Sequence, residues 1–255
     1  MRRYETIKRG LIKMKHILSF SGGKDSTFLL LELIRRKYPL DKVLFFDTEW
    51  EFDVMYEHIE KCKRICMENG IEFETVNSLY AFDILFRKYS WCGGACRWGT
   101  TYKQMALDKY SEEFKDSIVY IGIAADETTR LEKERAEYKR FPLAEWGITE
   151  DECLQGCYDA DFDWGGMYEH LDRLSCKYCA NKNLKELRNI RKHYPEVWGE
   201  LKEYQSRTDR PYKGEGKSVF DLEKRFAFED ERTAAGLSIT SREFHEELKK
   251  RLQGD

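Results

Sequence analysis

The six residues Ser21-Gly22-Gly23-Lys24-Asp25-Ser26 limit what this chain can fold into more sharply than any other segment. They end a short β-type run, His16-Ile17-Leu18-Ser19-Phe20, and open directly into the apolar run Thr27-Phe28-Leu29-Leu30-Leu31-Glu32-Leu33-Ile34. Two adjacent glycines let backbone approach a bulky anion closely, because no Cβ intervenes. The helix start behind them offers unpaired N–H groups and the positive end of a dipole. Ser21, Ser26 and Thr27 add hydroxyl groups, and Lys24 adds a cation. Such a turn is suited to phosphate. It is not the Walker A loop, which needs four residues between its first glycine and Gly-Lys-Ser/Thr, nor the Gly-x-Gly-x-x-Gly dinucleotide turn.

Around this turn, strand-like runs recur at residues 15–21, 42–47, 71–76 and 117–124, and helical patterns lie at 26–37, 52–69 and 100–110. Their alternation predicts a doubly wound α/β domain with a mostly parallel sheet. Ligands in such sheets bind beyond the C-terminal strand ends. Asp47-Thr48-Glu49 and Asp126-Glu127-Thr128-Thr129-Arg130 should therefore face the same crevice as the turn. Strand signals fade beyond about residue 145. Thr149-Glu150-Asp151-Glu152 reads as a capping box opening a helix. Further helices are expected near 181–194 and 241–252, with a loop at 207–218. The chain thus divides into a basic extension (1–14), an α/β nucleotide-binding domain (15–146) and a mainly helical part (147–255) that carries cysteines.

The net charge of −3 over 255 residues gives no global basic field. No stretch approaches the roughly 18 apolar residues of a membrane span, and the first thirteen residues lack the apolar centre of a signal peptide. A cytoplasmic location without membrane partners is the expectation. Eight cysteines in such a chain argue for metal or core roles rather than disulfides. Cys62 and Cys66, and likewise Cys153 and Cys157, fall four apart on helical patterns and read as buried small hydrophobes. Cys92, Cys96, Cys176 and Cys179 sit in loops, as C-x-x-x-C and C-x-x-C pairs about eighty residues apart. They read as one metal site joining the core to the C-terminal part, and spacing alone favours zinc. Lys177, Lys182, Lys185, Arg188, Arg191 and Lys192 make the following segment basic, as either a solvated helix face or a guide for nucleic acid.

With these residues in hand, the chain resembles the phosphoadenosine phosphosulfate (PAPS) reductase branch of the PP-loop ATP pyrophosphatase superfamily. The resemblance runs through residues 21–26, Phe45-Phe46-Asp47-Thr48-Glu49-Trp50, Cys96-Arg97 with Lys103, residues 121–130, Phe141-Pro142-Leu143-Ala144-Glu145-Trp146, and Cys176-Lys177-Tyr178-Cys179. It implies the PP-loop (adenine nucleotide alpha hydrolase-like) fold, with ATP, or PAPS or adenylyl sulfate (APS), held by Ser19, Ser21, Gly22, Gly23, Lys24, Asp25, Ser26, Asp47, Asp126 and Glu127. Lys24, Asp25 and Arg130 are the expected catalytic residues, with Asp25 an N-cap or a Mg²⁺ ligand.

The resemblance tilts the four cysteines toward a [4Fe-4S] cluster over Zn²⁺. Here the first pair is C-x-x-x-C, whereas APS reductases of this branch carry adjacent cysteines. Reductases of the branch attack sulfur with a cysteine in a tail segment, and residues 180–255 contain none. The expected activity is therefore ATP pyrophosphatase chemistry: adenylylation of an acceptor, with a nucleic acid among the candidates, for sulfur or nitrogen transfer, with a sulfur-donor protein among the partners. Sulfonucleotide reduction and nucleotide binding without turnover stay open as alternatives, as does the oligomeric state.

Overall fold

The computed structural model describes residues 14–78, 80–91, 96, 101–108, 110, 114, 116–133 and 136–253. Its contacts divide the chain into two compact units, one formed by residues 1–79 and 102–167, the other by 80–101 and 168–255.

The first unit is built on a five-stranded sheet, β1 (Lys15–Phe20), β2 (Lys42–Asp47), β3 (Glu72–Asn77), β4 (Ser117–Ile121) and β5 (Lys139–Arg140), in the order β3-β2-β1-β4-β5. Every neighbouring pair is parallel. The sequence Lys-Val-Leu-Phe-Phe-Asp of β2 is buried along nearly its whole length, as a strand covered on both faces must be. At the β2–β3 edge, Lys42 lies 2.9 Å from Glu74 and 3.3 Å from Glu72. Crossover helices α1 (Lys24–Arg35) and α2 (Asp53–Glu68) follow β1 and β2. One side of the sheet packs Ile17, Leu44, Phe46 and Val76 against Ala106, on the helix Tyr102–Asp108, and Tyr110. Cys62 and Cys66 are fully buried on α2, as their four-residue spacing predicts.

The strand order carries the functional consequence. The chain proceeds from β1 outward to β2 and β3, then returns to place β4 on the other side of β1. The loops after β1 and β4 therefore diverge at a topological switch point, where open α/β sheets form their binding crevice.

The expected boundary at 146/147 differs from the observed division. The helix Glu150–Asp159 opens with the predicted capping box at Thr149 and belongs to the first unit. Gly156 explains why: a Cβ there would lie 2.1 Å from the ring of Phe28 on α1, so only glycine lets the two helices come this close. Cys153 and Cys157 are both fully buried, and the Cys157 thiol donates to the Lys24 carbonyl at 3.4 Å.

The second unit also takes in the helix Phe82–Tyr89, which the sequence reading did not anticipate. Phe86 and Trp91 enter an aromatic cluster with Tyr204 and Tyr212, with ring centroids 4.9–5.2 Å apart between successive members. Its other helices are Leu184–His193, Pro195–Ser206, Val219–Ala234 and Arg242–Gln253. The first carries an Asn183–Glu186 capping box and the third a Ser218–Asp221 one. Phe228, Phe244 and Leu248 clasp the last two helices together.

Candidate nucleotide site

The turn after β1 is folded on itself by its own hydroxyls. Ser26 Oγ donates to the Gly23 carbonyl at 3.1 Å and lies 3.0 Å from Ser21 Oγ, and the Ser21 N–H donates to Ser26 Oγ at 3.2 Å. Gly22 adopts φ +78°, where an L side chain is strained, and a Cβ there would press within 2.9 Å of Ile59 and Met55 on α2. Gly23 is the N-cap of α1 and has no side chain to accept from the first-turn N–H groups. Unpaired N–H groups at a helix start are donors of the kind that suit a phosphate.

The other side of the crevice comes up against this turn through Gly122, directly after β4. A Cβ on Gly122 would stand 2.9 Å from the Ser26 nitrogen and 3.0 Å from the Ser26 Cα and the Asp25 carbonyl carbon. The β4 loop then carries Asp126 and Glu127 forward. The Glu150 N–H donates to Asp126 at 3.1 Å, and Glu127 accepts from the Ala124 N–H at 3.1 Å.

Lys24 binds this arrangement together. Its ammonium reaches Asp25 and Glu150 at 2.7 Å each, with the side chain only 10% exposed. Burial pulls the Lys24 pKa down, but the hydrogen bonds and charges of Asp25 and Glu150 outweigh it and leave the group raised and charged. Asp25 is shifted upward, first by burial and then by the charges of Glu150 and Glu127, against the pull of Lys24. Among the described residues, Asp25, Glu127 and Glu150 offer carboxylate oxygens all within 4.8 Å of one another. Oxygen donors at this spacing suit a hard divalent cation such as Mg²⁺.

Two buried side chains support the turn from below. Trp164 donates its indole N–H to the Gly22 carbonyl at 2.9 Å. His58, on α2, stacks on Trp164 with centroids 4.6 Å apart and pairs through Nε2 with the Thr27 hydroxyl at 2.9 Å. Burial, with a smaller contribution from the Lys61 charge, lowers the His58 pKa to about 3, so its imidazole is neutral at pH 7.

The remaining candidates divide. Asp47, at the end of β2, accepts from the Glu49 N–H at 2.8 Å and from Tyr56 at 3.1 Å, so it ties down its own turn. Arg130 is exposed and ion-paired with Glu127 at 2.5 Å. Ser19 lies within β1, in register with Leu44 and Ile121. The sequence reading missed Gly122, His58, Glu150 as a partner of Lys24, and Trp164. Glu150 was visible only as a member of a capping box, and the Gly165-Gly166 pair after Trp164 was the available sign of an unusual backbone there.

In the second unit, Cys96, Cys176 and Cys179 are partly exposed, and Cys92 lies outside the described residues. The hydrogen bond with Cys176 lowers the Cys179 thiol pKa; burial opposes this, and the Asn181 N–H and the Lys182 ammonium assist it. A thiol that ionises readily is suited to a soft metal. The described cysteines do not form a second group with all donor atoms within 4.8 Å. The basic segment that follows is largely neutralised in place. Lys177 pairs with Glu200, Lys185 with Asp172, Arg188 with Glu229, and Arg191 with Glu223 and Asp230, while Lys182 is fully buried on Ser175. No helix among the described residues is long and apolar enough to cross a membrane.

Comparison with known proteins places this arrangement in context. A model of the phosphoadenosine phosphosulfate reductase domain matches residues 15–150, just over half of the chain. An uncharacterized protein of Methanocaldococcus jannaschii is 25% identical over 210 residues, covering 76% of this chain and 41% of that protein. The chain thus spans less than half the length of this curated relative. Among solved structures, a U34-tRNA thiolase from Methanococcus maripaludis with its [4Fe-4S] cluster aligns at TM-score 0.47 and 17% identity, over 83% of this chain and 80% of that one. An NH3-dependent NAD synthetase from Campylobacter jejuni aligns at TM-score 0.36 and 14% identity, over 98% and 88%.

Proposed function

Because the chain belongs to the phosphoadenosine phosphosulfate reductase domain family, we propose that it is an ATP α-pyrophosphatase that adenylylates an acceptor for sulfur or nitrogen transfer. The observation that carries this reading is the Gly22-Gly23 turn at the head of α1, with Lys24 held between Asp25 and Glu150 beside it. The turn's N–H groups and hydroxyls receive the β- and γ-phosphates, and Lys24 offsets the charge of the departing pyrophosphate. Asp25, Glu127 and Glu150 would hold a Mg²⁺, which would supply positive charge against the phosphates.

In the first step an acceptor oxygen attacks the α-phosphorus, the α–β bridge breaks, and pyrophosphate leaves with its electron pair. A sulfur or nitrogen nucleophile then attacks the activated carbon, and AMP departs. The protein's part is to position the reactants and stabilise developing charge rather than to form covalent bonds. Asp126 and Arg130 would lie on the acceptor side. Cys92, Cys96, Cys176 and Cys179 would hold a metal, with [4Fe-4S] favoured over Zn²⁺. Such a cluster would supply a site for sulfur handling, with the donor delivered by a partner protein and a nucleic acid among the candidate acceptors.

Sulfonucleotide reduction is the second reading, since the family includes it. It requires a reactive thiolate. Cys153 and Cys157 are fully buried next to the turn, and burial drives both thiol pKa values upward, to about 12 for Cys157. Neither offers the thiolate such chemistry needs. The deciding experiment incubates the protein with ATP, PAPS or APS and resolves the products. AMP and pyrophosphate from ATP support the proposal, whereas ADP and phosphate, or sulfite from PAPS or APS with thioredoxin, overturn it.

A further inference from the structure

The second unit holds a cleft of about 440 Å³ lined by Asp83, Phe86, Arg87, Ser90, Arg207 and Thr208. Its lining combines guanidinium, hydroxyl and carboxylate groups. Arg87, on the last turn of the helix Phe82–Tyr89, is exposed and makes no ion pair among the described residues. Arg207 stacks its guanidinium over the Tyr204 ring at 4.8 Å and pairs with Glu203. That pairing uses one edge of its planar fork and leaves other N–H groups to face a ligand. Asp83 and Glu203 are the acidic groups at the cleft, with Tyr204 donating to Asp83 at 3.3 Å. Two guanidinium groups, Arg87 and Arg207, line the cleft against one lining carboxylate, Asp83.

Ser90 sits at the centre with a backbone that its residue type does not favour. Its φ of +54° and ψ of −154° lie in a region occupied essentially by glycine. Non-glycine residues held in such conformations concentrate at ligand clamps and active sites. This one places Ser90 Oγ 2.6 Å from Thr208 Oγ1. Thr208 Oγ1 already accepts the Arg210 N–H at 3.2 Å. When Thr208 donates to Ser90, the Ser90 hydroxyl proton is left to donate to another acceptor. Two of the helix-end carbonyls that would repel an anion are engaged elsewhere, with Phe86 accepting from the Ser90 N–H at 2.7 Å and Tyr89 from Arg210 at 3.5 Å.

We infer that this cleft is a second anion site, which binds the phosphate group of a phosphate ester between Arg87, Arg207 and the Ser90 hydroxyl. The site lies wholly within the second unit and does not depend on the nucleotide reading of the turn after β1.

The test follows the arginine Nε–H resonances of the full chain during titration, assigned through Arg87→Gln and Arg207→Gln. The probes are inorganic phosphate, methyl phosphate and dimethyl phosphate. Saturable shifts of both resonances are expected, with about tenfold weaker binding in either arginine variant. Ser90→Gly separates binding from folding, since glycine accepts this backbone without strain and lacks only the hydroxyl. It should keep its melting temperature and bind phosphate several-fold more weakly. Response to dimethyl phosphate identifies a diester ligand, and response to the other two alone a terminal or free phosphate. If no probe shifts the Arg87 and Arg207 resonances, or Ser90→Gly and Arg87→Gln bind as wild type, the cleft is not a phosphate site and Arg87 serves only the helix end.

Discussion

The indole N–H of Trp164 donates to the carbonyl of Gly22 at 2.9 Å across 142 residues of chain. Gly22 has φ +78°, and its peptide orientation decides where the N–H groups of the turn point. Trp164 itself sits at φ +50°, between Asp161 at +60° and Gly165 and Gly166 at +60° and +76°. A loop with four left-handed residues, two of them not glycine, thus aims one donor at the floor of the turn.

Trp164→Phe should keep the buried ring and its stacking on His58 while removing that donor. A net loss of about 1 kcal/mol in unfolding free energy is expected, with weaker ATP binding. Denaturant titration and calorimetry measure the two separately. Unchanged ATP affinity would show that the bond supports folding alone.

Gly122→Ala tests the close approach of the β4 loop to α1. Its Cβ would meet backbone atoms at 2.9–3.0 Å, which cannot move aside as a flexible side chain can. A destabilisation of about 1–3 kcal/mol is expected, together with impaired nucleotide binding. Thermal unfolding with and without ATP would register both effects.

The buried neutral His58 predicts a pH dependence. Its pKa is about 3 in the folded chain against an ordinary 6.5. Between these values the unfolded chain binds a proton that the folded chain does not, so stability falls as pH falls through that window. In His58→Gln, stability should decline less steeply between pH 6.5 and 5, where carboxylates contribute little. Parallel denaturant titrations at several pH values would reveal a shared slope if His58 were not responsible.

Removing Lys24 leaves Asp25, Glu127 and Glu150 crowded without their cation. Lys24→Ala should slow formation of AMP and pyrophosphate by about a hundredfold, in the range of a lost charge-stabilising group. Glu150→Gln should slow it less, because Asp25 still holds the ammonium. Product chromatography at saturating ATP distinguishes them, and equal rates in all three proteins would remove Lys24 from the chemistry.

The cysteine proposal is checked by elemental and sulfide analysis after anaerobic purification. Replacing Cys176 and Cys179 together by serine should abolish metal binding and lower the melting temperature, since thiolate ligation couples metal to local folding. Metal content equal to wild type would exclude these two as ligands.

Much of the first unit was legible because its signals are local. The alternation of apolar strands with helical patterns gave β1 to β4 within a few residues, and the Gly-Gly turn, the Thr149–Glu152 capping box and the buried Cys62/Cys66 stripe each depend on residues a few positions apart. Tertiary structure alone decided which distant groups meet. Glu150 reaches Lys24 because Gly156 lets its helix lie against Phe28, and Phe82–Tyr89 joins the C-terminal helices because Phe86 and Trp91 find Tyr204 and Tyr212. The basic run at 177–192 loses most of its field for the same reason, as its acidic partners, among them Asp172, Glu223 and Glu229, come from other segments. Helix caps and periodicity are set by neighbours along the chain. Charge pairing and close approach are set by packing, which brings together residues that no short window of sequence contains.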